Sequence, residues 1–262
     1  MRARMGHASS QQSGLLPFTV PTSRSHRRSE SQFSRADRYR LLLKFLGFGL
    51  VATLLGFAFI KLGSEVIEGD TRGFDMRLAR AASALRLAHP WVSDAMRDLS
   101  GLGSTVVLTI FMLLAIGYLT VVAARTTAVL VAVSVATGSA GVSAFKAAFG
   151  RPRPDPALAD FLVTGLSYPS GHAGISAIVF LTLGALIAAT RIRAAERSYI
   201  MAAAAVMTFL VGASRIALGV HWATDVLGGW AFGAAWALTW LCIDRLFSRQ
   251  SGSASVVQRA LR

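Results

Sequence analysis

Six stretches of this 262-residue chain are nearly free of charged side chains. They cover 41–60, part of 99–124, 126–145, 173–190, 198–214 and 226–243. A helix crossing ~30 Å of hydrocarbon needs ~17–25 predominantly apolar residues, and each stretch has about that length. Lys44 interrupts the first only near its start, where a lysine stem can carry its charge to the interface. Arg125 alone separates the second from the third, which predicts a tight hairpin. The fold class is therefore all-α, a polytopic membrane protein with six transmembrane helices. The longest connection, 61–98, has its own pattern. Phe74, Leu78, Ala81, Ala82 and Leu85 fall at helical spacing, with Met76 beside them and Arg77, Arg80 and Arg86 interspersed. That predicts an amphipathic helix in the membrane interface, either a lateral gate for a lipid or a helix docked on the bundle. Gly229 and Gly233 form a small-xxx-small pair, a close-packing signal.

The flanks differ from this core. Residues 1–39 are rich in Ser, Arg and Gln without apolar periodicity, and are expected to form a disordered basic tail. They contain no apolar run followed by a small-residue cleavage site, so a secretory signal is not expected. Residues 40–247 form the six-helix domain, and 248–262 a short C-terminal tail.

Composition agrees with a membrane setting: 53% of residues are hydrophobic and 15% charged, where a soluble domain carries about a quarter charged. The net charge of +14 is asymmetric along the chain. If the N-terminus is cytoplasmic and the spans alternate, the cytoplasmic segments hold 17 of the 27 basic residues but only Glu30, Asp37, Glu196 and Asp244 among the acidic ones. This is the positive-inside pattern, with both termini cytoplasmic in a bacterial inner (plasma) membrane. The charge thus reports topology. A nucleic-acid protein would gather it on one folded face, so no nucleic-acid partner is expected. The single cysteine, Cys242, lies in an apolar run and reads as a small buried hydrophobe.

Ionisable residues at span ends need a reason, and here they gather on one side of the membrane, the periplasmic or extracellular one. Lys146, Arg153 and Pro154 follow the third span. Pro169, Ser170, Gly171 and His172 open the fourth. Ser214, Arg215, His221 and Asp225 join the fifth to the sixth. Lys146, Arg153 and Arg215 would repel one another unless an anion sits between them, and phosphate suits them best. Ser170 and Gly171 precede an apolar helix, whose free N–H groups form an anion site; Ser170 can cap that helix, bind phosphate, or both. His221 and Asp225 are four apart, on one face if the stretch is helical, so the carboxylate can fix the ring tautomer. His172, from another loop, can give the leaving oxygen a proton. The span centres carry no charge, which argues against a transport path.

These residues complete a three-part pattern, K-x6-R-P, P-S-G-H and S-R-x5-H-x3-D. With it the chain resembles the type 2 phosphatidic acid phosphatase superfamily, in its integral-membrane branch. The resemblance covers the six spans but neither tail. It implies a phosphatase with no metal or other cofactor. It implies that His221 attacks phosphorus, Asp225 orients it, and His172 protonates the leaving group. Lys146, Arg153, Ser170, Gly171, Ser214 and Arg215 would hold the phosphate. The substrate would be a phospholipid or isoprenoid phosphate: phosphatidic acid, phosphatidylglycerophosphate, a polyprenyl diphosphate or lipid A. A lipid-to-lipid phosphotransferase is the alternative with the same site; a transporter or a non-catalytic lipid-binding protein is more remote. The soluble acid phosphatases and vanadium haloperoxidases, which share much of such a site, lack six apolar spans. The sequence sets no oligomeric state.

Overall fold

The computed structural model of the chain describes residues 35–260. Residues 1–34, most of the tail expected over 1–39, lie outside the described part. The described residues form eight α-helices and no strand: α1 (Arg35–Glu68), α2 (Arg72–Ala88), α3 (Trp91–Gly101), α4 (Thr105–Val121), α5 (Arg125–Phe149), α6 (Gly171–Ala189), α7 (Ala194–Ala217) and α8 (Ala223–Ala260), with a single 3-10 turn at Pro156–Leu158. Six spans are long and apolar enough to cross a membrane; α3 and α4 together supply the second, Trp91–Val121. The chain is a multi-pass membrane protein, as its apolar pattern predicts.

The apolar helix α4 falls within the stretch expected at 99–124, and α3 extends the second span back to Trp91. The span breaks at Leu102–Ser104, where the Ser104 hydroxyl caps α4 by accepting from the Val107 N–H at 3.3 Å. The reason is visible in Gly101-Leu-Gly103-Ser104: two poor helix formers followed by a good cap. At the end of α5, Gly150 takes a left-handed conformation (φ 62°) that stops the helix and turns the chain back towards the site.

α6 is the axis of the bundle. Half of its most apolar stretch is buried, against 6% for α1, and it packs chiefly on α7 and α8. The approach to α8 is very close. A Cβ on Gly229 would meet the Ser170 carbonyl at 2.7 Å, and one on Gly233 would strike the Gly174 carbonyl. Those two glycines therefore set the distance between the helices that carry the second and third polar clusters. α1 is peripheral. Leu42, Leu43, Leu46, Leu50, Val51, Leu54 and Phe57 are exposed, as a lipid-facing helix requires. It is held by Phe59, which is buried against Phe145, Phe149, Tyr168 and Phe232. The Tyr168 hydroxyl also donates to the Phe59 carbonyl at 2.8 Å.

The amphipathic helix expected within 61–98 is α2, and it is docked. Its buried side chains are Asp75, Ala79 and Arg86, while Phe74, Leu78 and Leu85 face outward. The helix thus grips the protein by polar groups and leaves its apolar stripe free. Arg86 donates to the carbonyls of Ala217, at the end of α7, and Leu158. A cation there complements the negative end of the α7 dipole.

Candidate active site

The three polar clusters meet at one end of the bundle. The segment between α5 and α6 is fastened to the turn between α7 and α8 by several bonds. The Asp160 N–H donates to the Leu218 carbonyl at 2.9 Å, Arg153 Nη1 to the Val220 carbonyl at 2.7 Å, and Trp222 Nε1 to the Pro152 carbonyl at 3.0 Å. The Ser170 N–H donates to the Asp225 carbonyl at 2.9 Å, which joins the start of α6 to the start of α8.

His221 is not helical; it ends the turn before α8. Its Nδ1 nevertheless lies 3.3 Å from Asp225 Oδ2, because the Trp222 N–H also donates to that oxygen at 2.9 Å and closes the turn. The tautomer follows from the other nitrogen. Arg153 Nη1 lies 3.1 Å from His221 Nε2, and a guanidinium can only donate. Nε2 therefore carries the lone pair and Nδ1 the proton, directed at Asp225. Burial pushes the His221 pKa down to about 4, despite the pull of the Asp225 carboxylate. The ring is neutral at physiological pH, with a nucleophilic nitrogen held on a guanidinium.

The cations around it are placed by backbone carbonyls. Lys146 Nζ donates to the carbonyls of Leu166 and Ser167 at 2.8 and 3.2 Å, and Arg153 Nε to that of Gly165 at 3.1 Å. Arg215 Nη1 donates to Ser100 Oγ of α3 at 2.6 Å. Its Nε is buried and has no partner among the described residues. An unsatisfied buried donor costs about 1–3 kcal/mol, a cost that an anion oxygen would remove. Lys146, Arg153, Arg215, His172 and His221 lie within electrostatic reach of one another. The Ser170 hydroxyl accepts loosely, at 3.5 Å, from the Ala173 N–H as the cap of α6. Gly171 begins α6 beside the Lys146 stem: a Cβ there would sit 4.0 Å from Lys146 Cε. The Ser214 hydroxyl is turned back onto its own helix, donating to the Val211 carbonyl at 2.7 Å.

Four contributors escape a reading by motif. Ser167 Oγ donates to Asp225 Oδ2 in a short hydrogen bond. Arg151 Nη1 donates to Asp225 Oδ1 at 2.6 Å, and its Nη2 to Asp75 Oδ2 of α2, also at 2.6 Å. Asp75 in turn accepts from the Thr224 N–H at 3.0 Å and the Thr224 hydroxyl at 2.6 Å. Ser100 orients Arg215. The Asp225 carboxylate thus accepts from four groups and is tied through Arg151 to the interface helix. Arg151 carries a signal, as a second cation in Gly150-Arg-Pro-Arg-Pro154; Asp75, Ser100 and Ser167 carry none in sequence.

An apolar cleft of about 220 Å³ ends at His172 and Gly171. Leu108, Met112 and Leu113 of α4 and Ile175 of α6 line it. A cluster of cations therefore adjoins a slot suited to hydrocarbon.

Residues 127–248 match the family model described as the PAP2 superfamily. A curated relative, phosphatidylglycerophosphatase B of Bacillus subtilis (strain 168), is 28% identical over 181 residues, covering 67% of this chain and 85% of that protein. The fold is similar to the crystal structure of a transmembrane PAP2-type phosphatidylglycerolphosphate phosphatase from Bacillus subtilis. The TM-score is 0.68 at 24% identity, covering 74% of this chain and 96% of the other. Residues 127–248 belong to the PAP2 superfamily, and the chain is a membrane-spanning, PAP2-type lipid phosphatase.

Proposed function

We propose that the chain hydrolyses the phosphate monoester of a membrane phospholipid, with phosphatidylglycerophosphate the first candidate, through a phosphohistidine on His221. The observation that carries this reading is the His221 ring: neutral, with Nδ1 held by Asp225 and the Nε2 lone pair on Arg153, a cation able to bind phosphate. The choice of lipid is supported by the curated relative and by the apolar cleft at His172.

The reaction runs in two displacements. Nε2 of His221 attacks phosphorus while the ester oxygen leaves, taking a proton from His172. Asp225 steadies the positive charge that develops on the ring. Water, deprotonated by His172, then attacks the phosphohistidine; inorganic phosphate leaves and His221 recovers its lone pair. Lys146, Arg153 and Arg215 with the α6 N-terminus (Ser170 and Gly171) neutralise the phosphoryl oxygens, and Ser214 lines the same pocket. To do so Arg153 exchanges Nε2 for a phosphate oxygen, which frees the lone pair as the substrate arrives. In this reading side-chain cations supply the charge that a metal would, so turnover needs no divalent ion. By the charge asymmetry the site faces the periplasm or cell exterior, with both termini cytoplasmic in the inner membrane, and residues 40–247 form the phosphatase domain.

The test is phosphate release by purified protein from phosphatidylglycerophosphate in excess EDTA, beside phosphatidic acid and a polyprenyl diphosphate. Metal-independent release, fastest on the first lipid, is expected. Strict dependence on a divalent ion would reject the mechanism, and a preference for the diphosphate would reject the substrate.

A further inference from the structure

At the end of the bundle away from the catalytic cluster lies a larger cleft, of about 470 Å³. It is bounded by Phe48 of α1, the last turns of α6, the first turns of α7 and the last membrane turns of α8. Its walls are apolar, with Phe48, Ala188, Met201 and Leu238 among them, and among the described residues its charged lining consists of Arg197 and Arg245. Both arginines are exposed, and neither pairs with a carboxylate among the described residues. Arg245 lies over the Phe48 ring, 5.3 Å from its centre, and Arg197 Nε donates to the Arg191 carbonyl at 2.7 Å. Each guanidinium is thus positioned and keeps donors to spare. The nearby Asp244 is turned the other way, accepting from the Thr127 hydroxyl at 2.9 Å. α1 is held to the bundle by the aromatic cluster at Phe59, and nearer the cleft Phe48 reaches it under Arg245.

We propose that this cleft binds one anionic diacyl phospholipid of the surrounding bilayer. An acyl chain lies between α1 and the α6–α8 wall, and the headgroup phosphate lies between Arg197 and Arg245. The cleft opens within the membrane, where hydrocarbon is the surrounding solvent, so its apolar walls take a chain. The charge at its mouth selects the headgroup: two guanidiniums with no carboxylate partner among the described residues fit a phosphodiester whose charge no ammonium offsets. Such a lipid fills the cleft between Phe48 and the α6–α8 wall.

The experiment is native mass spectrometry of the purified full chain after exposure to equal amounts of phosphatidylglycerol and phosphatidylcholine. The wild type is expected to retain phosphatidylglycerol in preference. Arg197→Gln with Arg245→Gln should cut that preference about tenfold, roughly the loss of 1.4 kcal/mol. Arg197→Lys with Arg245→Lys, which preserves the charge, should keep most of it. Leu238→Trp, which narrows the cleft and spares both arginines, should lower retention of bound lipid. His221→Ala should leave the preference intact, because the catalytic pocket is a separate site. A glutamine pair that retains the preference overturns the proposal, as does a lysine pair that loses it equally. It is also overturned if His221→Ala abolishes the preference, since the lipid would then have been occupying the catalytic pocket.

Discussion

His221 is 3% exposed and bounded by Asp225, Ser167 and Arg153, and that enclosure governs how it responds to pH. Burial disfavours the imidazolium more than Asp225 favours it, so the pKa falls from 6.5 to about 4. The neutral, nucleophilic ring therefore survives as the pH drops through the ordinary histidine range. The acid limb of kcat/KM should lie well below 6.5; a limb at or above that value would mean the carboxylate, not burial, dominates. Linkage gives a second consequence. Below 6.5 the unfolded chain binds a proton that the folded chain refuses until about 4, so this group makes the fold less stable as the pH falls through that window. For His172, alanine should slow turnover by about 10²–10⁴-fold, the usual worth of a general acid. A good leaving group, which needs no proton, should recover part of the loss.

The elements matter through what they bring together. The apolar runs made the helices legible, and the three short motifs named the residues at their ends. What could not be read was the Asp75–Arg151–Asp225 chain, because its members lie far apart in sequence and meet only through packing. Nothing in the sequence distinguishes Asp75 from the other polar residues of 61–98. Only the docking of α2 by its polar side turns it into a buried anchor. Breaking a buried ion pair from one side costs about 3–5 kcal/mol. Asp75→Asn should lower the thermal midpoint accordingly and reduce kcat with little change in KM, since the Asp225 carboxylate behind the proposed nucleophile loosens while Lys146, Arg153 and Arg215 stay in place. An unchanged kcat would show that α2 is only a structural cover. The contact between α6 and α8 is equally strict. Gly233→Val pushes a side chain against the Gly174 carbonyl, so it should destabilise by at least the ~1–3 kcal/mol of ordinary overpacking, read in the same thermal scan.

At the scale of the whole molecule, the two ends of the bundle differ in charge and chemistry. One end concentrates Lys146, Arg153, Arg215 and two histidines beside a hydrocarbon slot; the other carries the arginines that the charge asymmetry places in the cytoplasm. A single cysteine introduced between 155 and 167, in a Cys242→Ser background, should react with an impermeant maleimide on intact cells. Labelling only after the cells are broken would invert the topology. The most direct test of the central claim is to find the covalent intermediate. Protein mixed with a lipid phosphate and quenched within one turnover should yield, under alkaline digestion, a peptide carrying an acid-labile phosphoryl group on His221. That peptide should be absent from His221→Ala. Phosphate on any other residue, or turnover by His221→Ala at the wild-type rate, would contradict the account.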